Sequence, residues 1–183
     1  CTYCTFIEGD DEGYVKGALA LARSLRKNAC RHPLVVAATP TVPESLVARL
    51  AQESNVVVRR VEWLDPPPSL TTDSVLANPQ FIRNFTKLRL WECLAGDWDK
   101  AVYLDADTVA LQNLDDMFLA PAFSAVLDNM CADRDYHESK FQTPGVRNDA
   151  PAADPARSYF NAGVFIFEPG LEEFRDMTRA LAS

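Results

Sequence analysis

The segment Tyr103-Leu104-Asp105-Ala106-Asp107-Thr108 holds the most informative chemistry in the chain. An apolar run leads straight into two carboxylates separated by one residue. In an extended backbone, residues i and i+2 project to the same side, so both acids are expected to converge on one point. Two carboxylates held close repel each other unless a cation lies between them. Oxygen donors of this kind suit Mg²⁺ or Mn²⁺, which also bridge to the phosphates of a substrate. A solvated strand end is the competing reading of the same pattern. The apolar run in front favours the ligand site, because open α/β sheets bind ligands beyond the carboxyl ends of their strands.

Two other segments offer complementary groups. Lys87 lies in Phe85-Thr86-Lys87-Leu88-Arg89-Leu90-Trp91, with Arg83 four residues before it. It is a candidate phosphate cation; a solvated helix lysine is the alternative. Asn161 lies in Tyr159-Phe160-Asn161-Ala162-Gly163-Val164-Phe165-Ile166-Phe167, ahead of an apolar stretch. Its amide can donate to and accept from sugar hydroxyls, and Ala162 and Gly163 leave the backbone open to close approach. The alternative is a turn asparagine at a strand entry.

These groups need a scaffold, and the chain alternates strand-like and helix-like stretches from its start. Residues 2–7 read as a buried strand, rich in β-branched and aromatic side chains. Tyr14, Ala18, Leu21, Ala22 and Leu25 recur at helical spacing and predict a helix over 14–28. Basic residues in its last turns suit the negative end of the helix dipole. Strands follow at 34–38 and 56–61, with a short helix at 43–53 between them. A proline-rich loop at 65–79, a helix at 84–94 and strands at 100–104, 123–127 and 163–167 complete the pattern. Such alternation predicts an α/β fold, a parallel sheet with helices on both faces. The polar stretch 129–158 exceeds a plain connection, and loops of that length usually serve function or are disordered. It is expected to shape the acceptor side.

Composition bounds the function classes. The chain has 183 residues with 18 basic and 26 acidic side chains, a formal charge of −8. That length suits a single domain over 1–183. Its apolar content of 48% suffices for a core and excludes wholesale disorder. Net acidity disfavours nucleic acid as a partner. No run of eighteen apolar residues offers a membrane span. Cys1, Cys4, Cys30, Cys93 and Cys131 are odd in number and irregular in spacing. Cys1-x-x-Cys4 has no second pair to complete a zinc site, so the thiols read as structural and the expected location is cytoplasmic. The chain opens on Cys1 rather than Met, which leaves room for upstream sequence.

Taken together, Tyr103-Leu104-Asp105-Ala106-Asp107, Phe160-Asn161-Ala162-Gly163-Val164-Phe165, Tyr14-x-Lys16-Gly17-Ala18 and Thr86-Lys87-Leu88 resemble the family 8 retaining glycosyltransferases, the glycogenin and galactinol synthase group. Pro33-Leu34-Val35-Val36-Ala37 and Ala125-Val126-Leu127-Asp128-Asn129-Met130-Cys131 are most similar to the galactinol synthase branch. The resemblance implies a Rossmann-like, mostly parallel sheet of the GT-A type and a UDP-hexose donor with Mn²⁺, or Mg²⁺, as cofactor. It implies that Phe6, Ile7 and Glu8 hold uracil and ribose, with Tyr14 stacking near the base. Asp105 and Asp107 would ligate the ion, the Ala106 backbone would touch the ribose, and Lys87 would neutralise the diphosphate. Asn161 and Ala162 would line the sugar pocket, Asp128 would meet the donor sugar, and Arg83 would fall near the donor. Lys87, Asp128 and Asn161 are the residues expected at the catalytic step.

The family also carries a third metal ligand, a histidine, and an acidic-glutamine motif farther along. His32 and His137, the two histidines here, match neither, so the chain is expected to be C-terminally incomplete relative to the family. The activity implied is transfer of galactose or glucose to a hydroxyl acceptor, a small polyol or glycan with myo-inositol favoured. Front-face attack assisted by the departing phosphate would retain the anomeric configuration. A glycogenin-like self-glucosylating initiator and a non-catalytic UDP-sugar-binding module are the alternatives, and a homodimer is left open.

Overall fold

Side-chain alternation along the first strand, β1 (Thr2–Ile7), divides the molecule into two cores. Tyr3 and Ile7 pack on one face of the sheet, while Cys4 and Phe6 pack on the other. The computed structural model describes residues 1–65, 84–127 and 160–182. Within them, β2 (Leu34–Ala38), β3 (Val56–Arg60), β4 (Ala101–Leu104), β5 (Ser124–Leu127) and β6 (Phe160–Phe167) join β1 in a six-stranded sheet ordered β3-β2-β1-β4-β6-β5. β2 is buried on both faces, as a continuous Leu-Val-Val-Ala-Ala run predicts for a central parallel strand.

β1 pairs in parallel with β2 and β4, and β2 with β3. β6 runs antiparallel to β4, with Tyr103 opposite Phe165 and Leu104 opposite Val164. β5 is antiparallel to β6, with an irregularity between Ala125 and Val126. It therefore shares the direction of the first four strands, and the sheet is mostly parallel with β6 alone reversed. That reversal positions the site, because it sets the start of β6, including Asn161 and Gly163, beside the carboxyl end of β4.

Helix α1 (Glu12–Lys27) begins where the Asp11 side chain accepts from the Gly13 N–H at 2.7 Å. Gly9, at φ +74°, turns the chain out of β1 toward it. Val15, Ala18, Leu21, Ala22 and Leu25 bury one stripe against Tyr3, Ile7, Val36 and Val102, together with α2 (Glu44–Leu50). On the opposite face lie α3 (Arg89–Cys93) and α4 (Leu171–Leu181). Leu90 and Leu94 pack there on Tyr103, Phe165 and Phe167, and Phe174 of α4 lies under the Arg89 guanidinium at 5.2 Å. Each large apolar side chain so buried contributes about 1.5–3 kcal/mol.

Several boundaries differ from expectation. The helix expected at 84–94 divides into a 3₁₀ turn, Phe85–Leu88, followed by α3. The short helix expected at 43–53 ends at Leu50. β6 begins three residues earlier than expected, so Asn161 lies inside the strand rather than before it. Most of the proline-rich loop, the stretch 129–158, Arg83, Asp128 and Cys131 lie outside the described residues. Cys1, Cys4, Cys30 and Cys93 are free thiols. Burial pushes the Cys4 thiol well up and that of Cys93 up to about 12, so neither is a ready nucleophile. No helix among the described residues is long and apolar enough to cross a membrane.

Candidate functional site

The chain leaves β4 at Leu104 and turns at once. The Asp105 carbonyl accepts from the Thr108 N–H at 3.0 Å and from its hydroxyl at 2.7 Å. The extended backbone expected across the two aspartates is therefore absent, because residues 105–108 form a turn. The i, i+2 rule does not set their carboxylates; the turn does.

Asp105 is anchored from three directions. Its Oδ1 accepts from Tyr103 Oη at 2.7 Å and from Lys87 Nζ at 2.9 Å. Its N–H donates to the Gly163 carbonyl at 2.9 Å. A Cβ at Gly163 would lie 2.7 Å from Asp105 Oδ2 and 2.8 Å from Asn161 Oδ1, so only glycine leaves room for the carboxylate. The open face of Gly163, read from sequence as room for a ligand, is taken up by Asp105 itself. Asn161 Oδ1 in turn accepts from the Gly163 N–H at 2.7 Å. Lys87 also stands 5.0 Å over the Tyr103 ring. Burial first, then the Asp105 charge, pushes the Tyr103 phenol well above its ordinary pKa, so the hydroxyl stays a donor.

Asp107 takes the other side of the turn. With Ala106, Asp11, Gly13, Tyr14 and Gly17 it lines a cleft of about 170 Å³ at the N-terminal end of α1. A Cβ at Gly17 would lie 2.4 Å from the Ala106 carbonyl oxygen, so the close approach of α1 to the turn requires glycine. Tyr14 is half exposed over this cleft. Phe6 and Ile7 are core side chains on opposite faces of the sheet, so a nucleotide contact from either would come from its main chain. Glu8 is half-buried just past the end of β1.

The turn thus joins two groups of residues: Lys87, Tyr103, Asp105, Asn161 and Gly163 on one side, and Tyr14, Gly17, Ala106 and Asp107 on the other. Sequence reading named Tyr103 and Gly17 only within longer motifs and gave neither a role at the site. Tyr103 could have been found, since it stands two residues before Asp105 and an i, i+2 relation reaches the same side. The reason for Gly17 was not readable, because its partner is a backbone oxygen far along the chain.

The donor set can be judged on its chemistry. Two aspartates supply hard oxygen ligands, and Mg²⁺-type sites commonly use one or two carboxylates with substrate phosphates and water completing the shell. Among the described residues no cluster of three or more His, Cys, Asp or Glu side chains forms a closed metal site. By donor type alone, the two aspartates suit an ion of that class.

The family model described as glycosyl transferase family 8 matches residues 4–182. Galactinol synthase 1 of Arabidopsis thaliana is 34% identical over 189 residues, covering 98% of the chain and 53% of that protein. Galactinol synthase 1 of Ajuga reptans is 35% identical over 188 residues, covering 98% and 54%. The chain spans about half the length of these curated relatives. Among solved structures, galactosyltransferase LgtC, crystallised with donor and acceptor sugar analogs, superimposes with a TM-score of 0.61 at 18% identity, over 99% of the chain and 66% of LgtC. The glycosyltransferase GlyE of Streptococcus pneumoniae gives 0.57 at 16%, over 100% of the chain and 38% of GlyE. At those identities the likeness is one of fold, the α/β nucleotide-sugar transferase fold.

Proposed function

Because the chain belongs to glycosyl transferase family 8, we propose that it transfers a hexose from a UDP-sugar to a hydroxyl acceptor with retention at the anomeric carbon. Galactose or glucose is the hexose, and myo-inositol is the favoured acceptor. The names of the galactinol synthase relatives support that choice. The observation that supports the reading most directly is the Lys87–Asp105 contact at the carboxyl end of β4, one residue away from the cleft lined by Tyr14 and Asp107.

Each residue then has a task. Tyr14 offers a ring face to the base, and the Ala106 backbone meets the ribose. Asp105 and Asp107 are the residues that would hold Mn²⁺ or Mg²⁺; the ion, when bound, supplies positive charge to the diphosphate as UDP leaves. Lys87 brings an ammonium to the same charge, a preorganised electrostatic role worth about two to three orders of magnitude at comparable sites. Asn161, with Oδ1 tied to the Gly163 N–H, presents its NH₂ group to a sugar hydroxyl. Arg83 and Asp128 remain candidates for the donor side. The acceptor oxygen attacks from the face that UDP leaves, and a departing phosphate oxygen takes its proton, so no enzymic nucleophile is needed.

The test is incubation of the full-length protein with UDP-galactose or UDP-glucose, Mn²⁺ and myo-inositol, with products identified by mass spectrometry and NMR. A hexosyl-inositol of retained configuration is expected. Hexose attached covalently to the protein would favour the glycogenin-like reading instead. UDP binding with no transfer would reduce the protein to a binding module.

A further inference from the structure

The two donors on Asp105 Oδ1 differ in their freedom to leave it. Tyr103 donates from a fully buried ring, stacked on Phe165 with centroids 4.7 Å apart and planes at 20°. Trp91 also stacks on Phe165, with centroids 5.7 Å apart and planes at 14°. A phenol gripped this way has no room to turn. Lys87 reaches the same oxygen from the end of a flexible four-carbon stem, and such an ammonium exchanges partners readily. On the β6 side the other oxygen, Oδ2, lies close against Gly163, where a Cβ would stand 2.7 Å from it.

We infer that Tyr103 is a positioning residue that keeps the Asp105 carboxylate in place when Lys87 lets go of it, and that Lys87 is the resting cation of that carboxylate, competing with a divalent ion for it. The inference rests on the proposed function for the identity of the competitor, since the ion is the one Asp105 and Asp107 would hold. A ligand that displaces Lys87 also frees its ammonium for the diphosphate, so ion uptake and phosphate neutralisation are coupled through one oxygen atom. Groups that orient a metal ligand from behind typically change ion affinity by about 10–100-fold when removed.

The test is titration of Mn²⁺ into the full-length protein without nucleotide, following the free-ion electron paramagnetic resonance signal. Tyr103→Phe keeps the ring and its stack and removes only the hydroxyl; Mn²⁺ binding weakened by about tenfold is expected. Lys87→Met removes the competing charge, and several-fold tighter binding is expected. A purely structural Tyr103 would lower the melting temperature yet leave the dissociation constant of the folded protein within twofold, which would overturn its positioning role. Weaker binding in Lys87→Met would overturn the competition. Wild-type protein that takes up no Mn²⁺ would overturn the proposed ion site and this inference together, whereas wild-type binding that Tyr103→Phe leaves intact overturns the positioning role alone.

Discussion

Two tyrosine–aspartate pairs lie on opposite faces of the sheet and end in different states. Tyr3 donates to Asp115 Oδ1 at 2.8 Å, much as Tyr103 donates to Asp105 at 2.7 Å. Each carboxylate also has a cationic neighbour, Arg31 in the first case and Lys87 in the second. Around Asp115 both oxygens are engaged: the Arg31 N–H reaches them at 3.3 and 3.2 Å, and Arg31 Nε reaches Oδ2 at 3.1 Å. Phe118 and His32 close over Tyr3, and the Asp115 side chain is 7% exposed. Around Asp105 both side-chain donors fall on one oxygen, and the side chain is 37% exposed. A tyrosine–aspartate pair thus makes a closed clamp in one place and an addressable carboxylate in the other. The cation separates the two: Arg31, with its main-chain N–H and side-chain Nε, engages both Asp115 oxygens, whereas Lys87 shares one Asp105 oxygen with Tyr103.

The comparison breaks most sharply by neutralising each acid. Asp105→Asn is expected to lower hexosyl transfer by about 100-fold or more, the scale of a lost electrostatic group at a reacting centre, while the melting temperature changes little. Asp115→Ala should do the reverse. It strands the Tyr3 hydroxyl and the Arg31 N–H, costing about 2–3 kcal/mol or roughly 4–12 °C in melting temperature for a chain of this size, with kcat of the folded enzyme retained. Equal losses of activity in both variants would erase the distinction. Gly163→Ala sharpens the comparison at the open site alone. Its methyl would press on Asp105 Oδ2, and a loss of about tenfold in kcat/KM is expected, the size of a small misplacement of a reacting group.

The smallest effect is on pH dependence, and it belongs to the closed clamp. Burial alone would raise Asp115, but the Tyr3 hydroxyl and the Arg31 donors outweigh it and hold the carboxyl below the ordinary carboxylate value. Its contribution is therefore complete above the unfolded value and is lost as pH falls through the folded one. Burial pushes the His32 imidazole below its ordinary 6.5, against the pull of Asp115. The unfolded chain takes up that proton near pH 6.5 and the folded chain resists it, so stability declines as pH falls below that point. Denaturant unfolding between pH 5 and 8 should show this slope, and His32→Phe should flatten it.

Legibility in the sequence followed burial. Residues 34–38 were read to their ends because every side chain of β2 is apolar and buried. The first three residues of β6 fall outside the expected strand because Phe160, Asn161 and Ala162 are exposed or half-buried, so no apolar pattern marks them. α4 was missed for a related reason: Phe174 is its one buried residue, too little for a helical stripe. Asp105, Asp107, Lys87 and Asn161 were legible as chemical types. Their grouping was not, since it depends on β6 running against β4, and alternation carries no strand direction. Arg83 and Asp128 were equally legible in type and lie outside the described residues.

Calorimetric titration of UDP into the full-length protein, with and without Mn²⁺, addresses the turn after β4 most directly. Binding that depends on the ion in the wild type, and loses that dependence in Asp105→Asn and in Asp107→Asn, is the expected result. UDP binding of equal strength without the ion, or with either aspartate neutralised, would contradict a diphosphate site built on these two residues.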